Sequence, residues 1–163
     1  MYVAAFGAFT KVAYSTSQKV KNVLGHTAYI LEGIKHISEL KIHEMVIHTE
    51  ERTIKGNFIL GLVTNTLSVG GFKGFMPEDV ALDDGKFEMI FIRTPANVVE
   101  LNGIVRALLL ESLENNPYIE YCKTNVIKIE AKEEIDWTLD GEYGGNCKEI
   151  LITNLKQEVS LIV

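Results

Sequence analysis

Trp137-Thr138-Leu139-Asp140-Gly141-Glu142-Tyr143-Gly144-Gly145 lies between two strand-like runs, Thr124 to Ala131 and Glu149 to Thr153. Asp-Gly followed by a Gly pair suits a hairpin turn, because both residue types tolerate positive φ. The same residues set two carboxylates, Asp140 and Glu142, on a glycine-rich turn whose backbone can approach a ligand closely. Taken alone, the stretch leaves both readings open.

Upstream of it the periodicity of two continues. Val126, Lys128 and Glu130 alternate with Ile127 and Ile129, Ile119 to Lys123 forms a further strand, and Lys132-Glu133-Glu134 leads into the motif. Earlier still, Thr94-Pro95 predicts a helix start, with Thr94 at the cap and proline in the first turn. Val98, Leu101, Val105, Leu108, Leu109 and Leu113 carry that helix for about four turns, and Asn115-Asn116-Pro117 stops it. Before it, Phe87 to Ile92 reads as a strand and Phe58 to Thr64 as a buried one. Ile42 to Leu60 predicts a hairpin turned by Glu50-Glu51-Arg52. Residues 18–40 carry helical spacing, as one helix or as two separated near Gly25, and residues 2–14 read as a strand running into a loop. Downstream of the motif, residues 149–163 predict two short strands joined around Asn154 to Gln157. Many strands without alternating helices point to an α+β fold, mainly an antiparallel β-sandwich or barrel-like core with two flanking helices.

A chain of 163 residues with 47 % apolar and 23 % charged residues can bury one core of ordinary size. A net charge of −6 argues against a nucleic-acid binder, which needs a basic stripe to neutralise phosphates. Cys122 and Cys147 form no C-x-x-C pair and no disulfide framework, which suits a reducing compartment. No apolar run reaches the length of a membrane span. The short apolar N-terminus lacks the basic flank of a signal peptide.

Two further stretches carry candidate chemistry. Asn65 to Gly74 holds Gly70-Gly71 and Lys73, but the spacing is not that of a phosphate-binding G-x-x-x-x-G-K-[ST] loop. Pro77 to Lys86 gathers carboxylates that suit a hard divalent cation, without EF-hand spacing; a solvated Asp-Gly turn fits the same residues. His26 and His36 have no partner at helical spacing that would make a metal site.

Five stretches in order resemble the C-terminal domain of the diacylglycerol kinase family of bacterial lipid kinases, a group that includes the sphingosine kinases. They are Ala4-Ala5-Phe6-Gly7-Ala8-Phe9-Thr10, Leu24-Gly25-His26-Thr27-Ala28-Tyr29, Asn65 through Gly71-Phe72, Pro77 through Asp83-Asp84-Gly85, and Leu139-Asp140-Gly141-Glu142. The family's Gly-Gly-Asp-Gly-Thr motif, which binds ATP in an N-terminal domain, does not occur here. The resemblance therefore implies that residues 1–163 are the C-terminal lipid-substrate domain of a longer kinase. The ATP-binding domain would be absent from this chain, and the isolated chain inactive.

By that resemblance the complete protein is a transferase of phospholipid biosynthesis, moving the γ-phosphoryl of ATP to diacylglycerol to give phosphatidic acid. Asp140 is then the general base, with Glu142 lining the same cleft, and Asn65, Gly70 and Gly71 lie on the substrate side. Mg2+ accompanies ATP, and a structural divalent ion is expected at Asp84 and Asp83 with the carbonyl of Lys86. Ala81 stands where relatives carry a further ligand. Apolar residues between the sheet and the helix from Pro95 are expected to take the acyl chains. The implied setting is cytoplasmic with peripheral membrane contact, and exposed strand edges suit a homodimer. Other readings are a kinase for another lipid alcohol, and a non-catalytic lipid-binding or interaction module.

Overall fold

The computed structural model describes residues 2–7, 41–66, 81–109, 113 and 116–156. Within them lie β1 (Val3–Gly7), β2 (His43–His48), β3 (Thr53–Thr64), β4 (Phe87–Arg93), α1 (Val98–Leu109), β5 (Ile119–Thr124), β6 (Val126–Leu139) and β7 (Glu142–Thr153). All the strands join one antiparallel sheet.

The centre of that sheet has an unusual construction. β2 pairs with residues 53–58 of β3 and residues 128–131 of β6. β1 pairs with residues 60–64 of β3 and residues 138–139 of β6. The two short strands thus lie end to end in one slot between two long ones. β4 and β5 extend the sheet beyond β3, and β7 extends it beyond β6.

The sheet curls so far that its concave face encloses a core. Phe87, Met89 and Phe91 of β4 share one cluster with Ile127, Ile129, Ile135 and Trp137 of β6 and Ile152 of β7. Phe6 sits in the middle of it, edge-on to His43, Phe91 and Trp137 with centroids 5.0–5.5 Å away. Ring edges meeting ring faces are the favoured arrangement for such pairs. The convex face packs α1 through a second cluster of Ile104, Ala107 and Leu108 with Leu60, Leu62, Ile90, Ile92 and Ile119. A bulge between Phe58 and Leu60 lets β3 serve both. Ile54 and Phe58 face the inner core, and after the extra residue Leu60 and Leu62 face the helix while Val63 returns inward.

Of the sandwich or barrel-like core expected of an antiparallel α+β fold, the structure has the second, a single curled sheet that encloses its own core. Its long strands pass through the curl and meet their own sheet across the interior, so no second sheet is required. Among the described residues one helix is present, and the expected helix over 18–40 lies outside them, as do residues 8–14 and the last strand expected of the tail. α1 begins later than Thr94-Pro95 predicts. Its cap is Asn97, whose side-chain oxygen accepts from the amides of Val99 and Glu100 at 3.0 Å, while Glu100 accepts from the Ala96 amide at 2.7 Å. Phe58 to Thr64 is the second half of one continuous strand from Thr53 rather than a separate element. Likewise Lys132-Glu133-Glu134, which leads into the motif, is itself strand. β6 runs through it, bulging against β7 between Glu130 and Ile135, so that the charges stay outside and Ile135 and Trp137 return to the core.

Candidate functional site

Asp140-Gly141 is the whole turn of the β6–β7 hairpin, since Leu139 pairs directly with Glu142. Asp140 has φ +52° and Gly141 φ +90°, the twist of a two-residue turn that matches the flanking strands. Gly144 and Gly145 belong to β7, at a register shift opposite Trp137 and Thr138, where Gly145 has φ +110°.

The Asp140 carboxylate is engaged across the sheet. Its Oδ1 accepts from the backbone amides of Tyr2 at 2.6 Å and Val3 at 2.8 Å, and its own amide donates to the Val3 carbonyl at 2.8 Å. The Val3 amide, followed by that of Tyr2, holds the carboxyl below the usual aspartate range against the opposing effect of burial. Asp140 is thus an ionised carboxylate, solvent-exposed but fixed in direction. Glu142, the first residue of β7, is exposed beside it.

Asn65 reaches the same end of the sheet. Its amide donates to the Tyr2 carbonyl at 2.9 Å, so Tyr2 bridges Asn65 and Asp140. The Asn65 side-chain nitrogen donates to the Leu82 carbonyl at 3.3 Å, which ties in the turn expected to hold an ion. In that turn Asp83 is exposed and Asp84 half-buried. Asp84 Oδ1 accepts from the Lys86 amide at 2.8 Å, and the Lys86 carbonyl accepts from Asn154 at 3.1 Å. The three offer hard oxygen donors, a set that suits a water-rich ion held by one or two carboxylates. Among the described residues no three His, Cys, Asp or Glu side chains gather as a metal centre. Gly70 and Gly71 lie outside the described residues.

A cleft of about 540 Å³ opens next to these groups, lined by Asn65, Phe87, Trp137, Leu139, Leu151 and Leu155 among others. Two buried polar atoms in its wall, Asn65 Oδ1 and Trp137 Nε1, have no hydrogen-bond partner among the described residues. The sheet–helix layer expected to take acyl chains is filled instead by its own side chains, with Ile104, Ala107 and Leu108 all buried. Neither the cleft nor the role of Tyr2 is anticipated from the sequence. The apolar run Ile150-Leu151-Ile152, which breaks the alternation of β7 and leaves Leu151 exposed, is the sequence signal of the cleft wall, whereas a backbone amide leaves none.

No protein-family model matches the chain. Curated relatives do: it is 35 % identical to a Bacillus subtilis protein named diacylglycerol kinase over 88 % of this chain and 46 % of that protein. It is 31 % identical to a Staphylococcus saprophyticus protein of the same name over 98 % of this chain and 51 % of that protein. The chain thus spans about half the length of the curated relatives it matches. The fold is shared with a crystal structure of a Bacillus anthracis protein assigned as a diacylglycerol kinase, at TM-score 0.66 and 20 % identity, over 93 % of this chain and 50 % of that one.

Proposed function

This chain is homologous to bacterial diacylglycerol kinases across about half of their length, and from that premise we propose that it is the C-terminal, lipid-side domain of an ATP-dependent lipid kinase. The observation that carries the reading is the placement of Asp140. A fixed, ionised carboxylate follows directly on Leu139, a residue of the wall of a largely apolar cleft, and that is the pairing that a lipid alcohol with apolar tails and one reactive hydroxyl asks for.

In this reading the cleft takes acyl chain and Asp140 accepts a hydrogen bond from the primary hydroxyl of diacylglycerol. As the bond from the hydroxyl oxygen to the γ-phosphorus forms and the bond to ADP breaks, the hydroxyl proton passes to the Asp140 carboxylate. Phosphoryl transfer needs positioning and charge compensation more than a strong base, so a carboxylate below its usual pKa is adequate. Glu142 adds a second negative group at the same rim. Asn65 lines the cleft, and the resemblance adds Gly70 and Gly71, outside the described residues, to the substrate side. Mg2+ bound with ATP supplies charge compensation at the phosphates, and Asp84, Asp83 and the Lys86 carbonyl are the residues that would hold a structural ion.

In this reading ATP is bound by the part of a longer kinase that this chain does not span, so the 163 residues alone are expected to be inactive. No helix among the described residues is long and apolar enough to cross a membrane. Leu151 and Leu155, 67 % and 65 % exposed on the cleft, suit peripheral contact with a cytoplasmic membrane face. The test is transfer of labelled phosphate from ATP to diacylglycerol in mixed micelles, comparing this chain, the full-length kinase, and the full-length Asp140→Asn variant. Activity in the full-length protein that Asp140→Asn abolishes, with folding intact, is expected. Near-wild-type turnover in that variant would overturn the assignment of the base.

A further inference from the structure

We propose that the start of β1 is the positioning element of the Asp140 carboxylate, with Tyr2 as a relay that carries the placement of Asn65 to the hairpin tip. The proposal rests on Asp140 being the base and concerns how that base is held.

An exposed aspartate on a two-residue turn has rotamers to choose from. Useful placement of a catalytic group requires about 0.5 Å and 10–20°. Here the restraint comes from a strand 138 residues away in sequence, through the amides of Tyr2 and Val3 that converge on one oxygen. Two donors on Oδ1 fix the plane of the carboxylate, and the bond from the Asp140 amide to the Val3 carbonyl fixes the backbone beneath it. Behind Tyr2 stands Asn65, whose amide donates to the Tyr2 carbonyl and whose side chain holds Leu82. Residue 2 thus contacts the base through its N–H and the substrate-side asparagine through its C=O. A shift of residue 2 reaches both. The Tyr2 side chain, 70 % exposed, takes no part in these bonds. The titratable groups on the elements that meet here are Tyr2, Asp83, Asp84, Lys86, Glu142 and Tyr143, together with the N-terminal ammonium of the 163-residue chain, whose charge also favours the Asp140 anion there. The Tyr2 and Val3 bonds to Oδ1 come from main-chain amides and from none of those side chains.

The separation of backbone from side chain provides the test. Tyr2→Pro removes the donor while leaving the carbonyl, just ahead of a strand, where proline is tolerated. Tyr2→Ala keeps the donor, and both variants keep the N-terminal ammonium. In the 163-residue chain, NMR titration of the Asp140 side-chain carboxyl carbon should show an upward shift of the midpoint in Tyr2→Pro and none in Tyr2→Ala. In the unsubstituted chain the amide protons of Tyr2 and Val3 should move with that same titration, a measurement that needs no variant to fold. Equal midpoints in the two variants, or amide shifts that stay flat while Asp140 titrates, would overturn the proposal. In the full-length kinase, Tyr2→Pro should move the acid limb of the kcat/KM profile to higher pH and Tyr2→Ala should not. Turnover surviving Asp140→Asn would remove the base while leaving the NMR result standing, so the two failures are distinguishable.

Discussion

Gly61 faces the inner core from the second half of β3, and a Cβ built there would lie 2.2 Å from Cε1 of Phe6 and 2.8 Å from Cε1 of Phe91. Both rings are fully buried, and Phe6 is hemmed by His43 and Trp137 as well. Neither ring can swing aside. Gly61→Ala is therefore an overpacking substitution in a place that cannot relax, costing about 3 kcal/mol, the upper end of the usual range. With a urea slope of about 2 kcal/mol/M, the unfolding midpoint should fall by about 1.5 M. Phe6→Leu alone gives up three edge-to-face contacts at about 0.5–1.5 kcal/mol each, so roughly 1.5–4.5 kcal/mol. The double variant is the informative one. Leucine at position 6 vacates the space that Cε1 held, so the methyl group added at position 61 enters it and only the Phe91 contact remains. The combined cost should fall short of the sum of the single costs by at least about 1 kcal/mol, as expected of residues sharing one space. Costs that add within about 0.5 kcal/mol would refute the packing argument.

Two further outcomes follow from the same structure. Burial, and then the charge of Lys41, holds the pKa of His43 below its ordinary value, against the opposing pull of Glu133 and Asp136. The unfolded chain therefore takes up a proton more readily, and the stability that neutral His43 contributes is present above about pH 6.5 and lost as pH falls toward the folded pKa. Thermal unfolding between pH 7 and pH 5 should show that loss, and His43→Phe, which keeps a ring against Phe6, should reduce it. Cys147 lines the cleft, whereas burial pushes the Cys122 thiol up. Alkylation of Cys147 should slow when diacylglycerol micelles are present, relative to detergent alone, with Cys122 unaffected; equal rates at Cys147 would deny the cleft to lipid.

Local structure was legible wherever periodicity and turn chemistry agreed. The strand from Phe87 and the hairpin around Glu50 to Arg52 sit where their apolar spacing predicts, whereas the helix carrying Leu101 and Leu108 is shorter than predicted, Val98–Leu109, with Val98 exposed and Leu113 beyond its end. Asp140-Gly141 is a hairpin turn, as its residue types suggest, and it also holds a carboxylate in a fixed direction. Two things were not legible. The change of face within β3 rests on one bulged residue between Phe58 and Leu60, which leaves the apolar run unbroken and so gives no sign in sequence. The hold on Asp140 is made by main-chain amides, which every residue but proline possesses. Thr94 misled because Thr-Pro is a favourable start, whereas Asn97 with Glu100 three residues on satisfies more of the free amides of the first turn.

The shared slot between β3 and β6 has a kinetic meaning. β2 reaches its β3 partner through a short hairpin, but β1 must find Leu60 to Thr64 and then Thr138 and Leu139, the latter more than 130 positions along the chain. Closing loops of that length is slow compared with forming local hairpins. The β2–β3 and β6–β7 hairpins should thus assemble first and leave half a groove open at the middle of the sheet. Residues 3–7 close it last, with Phe6 as the plug, and a short peptide of that sequence supplied separately should be able to enter a chain that lacks it.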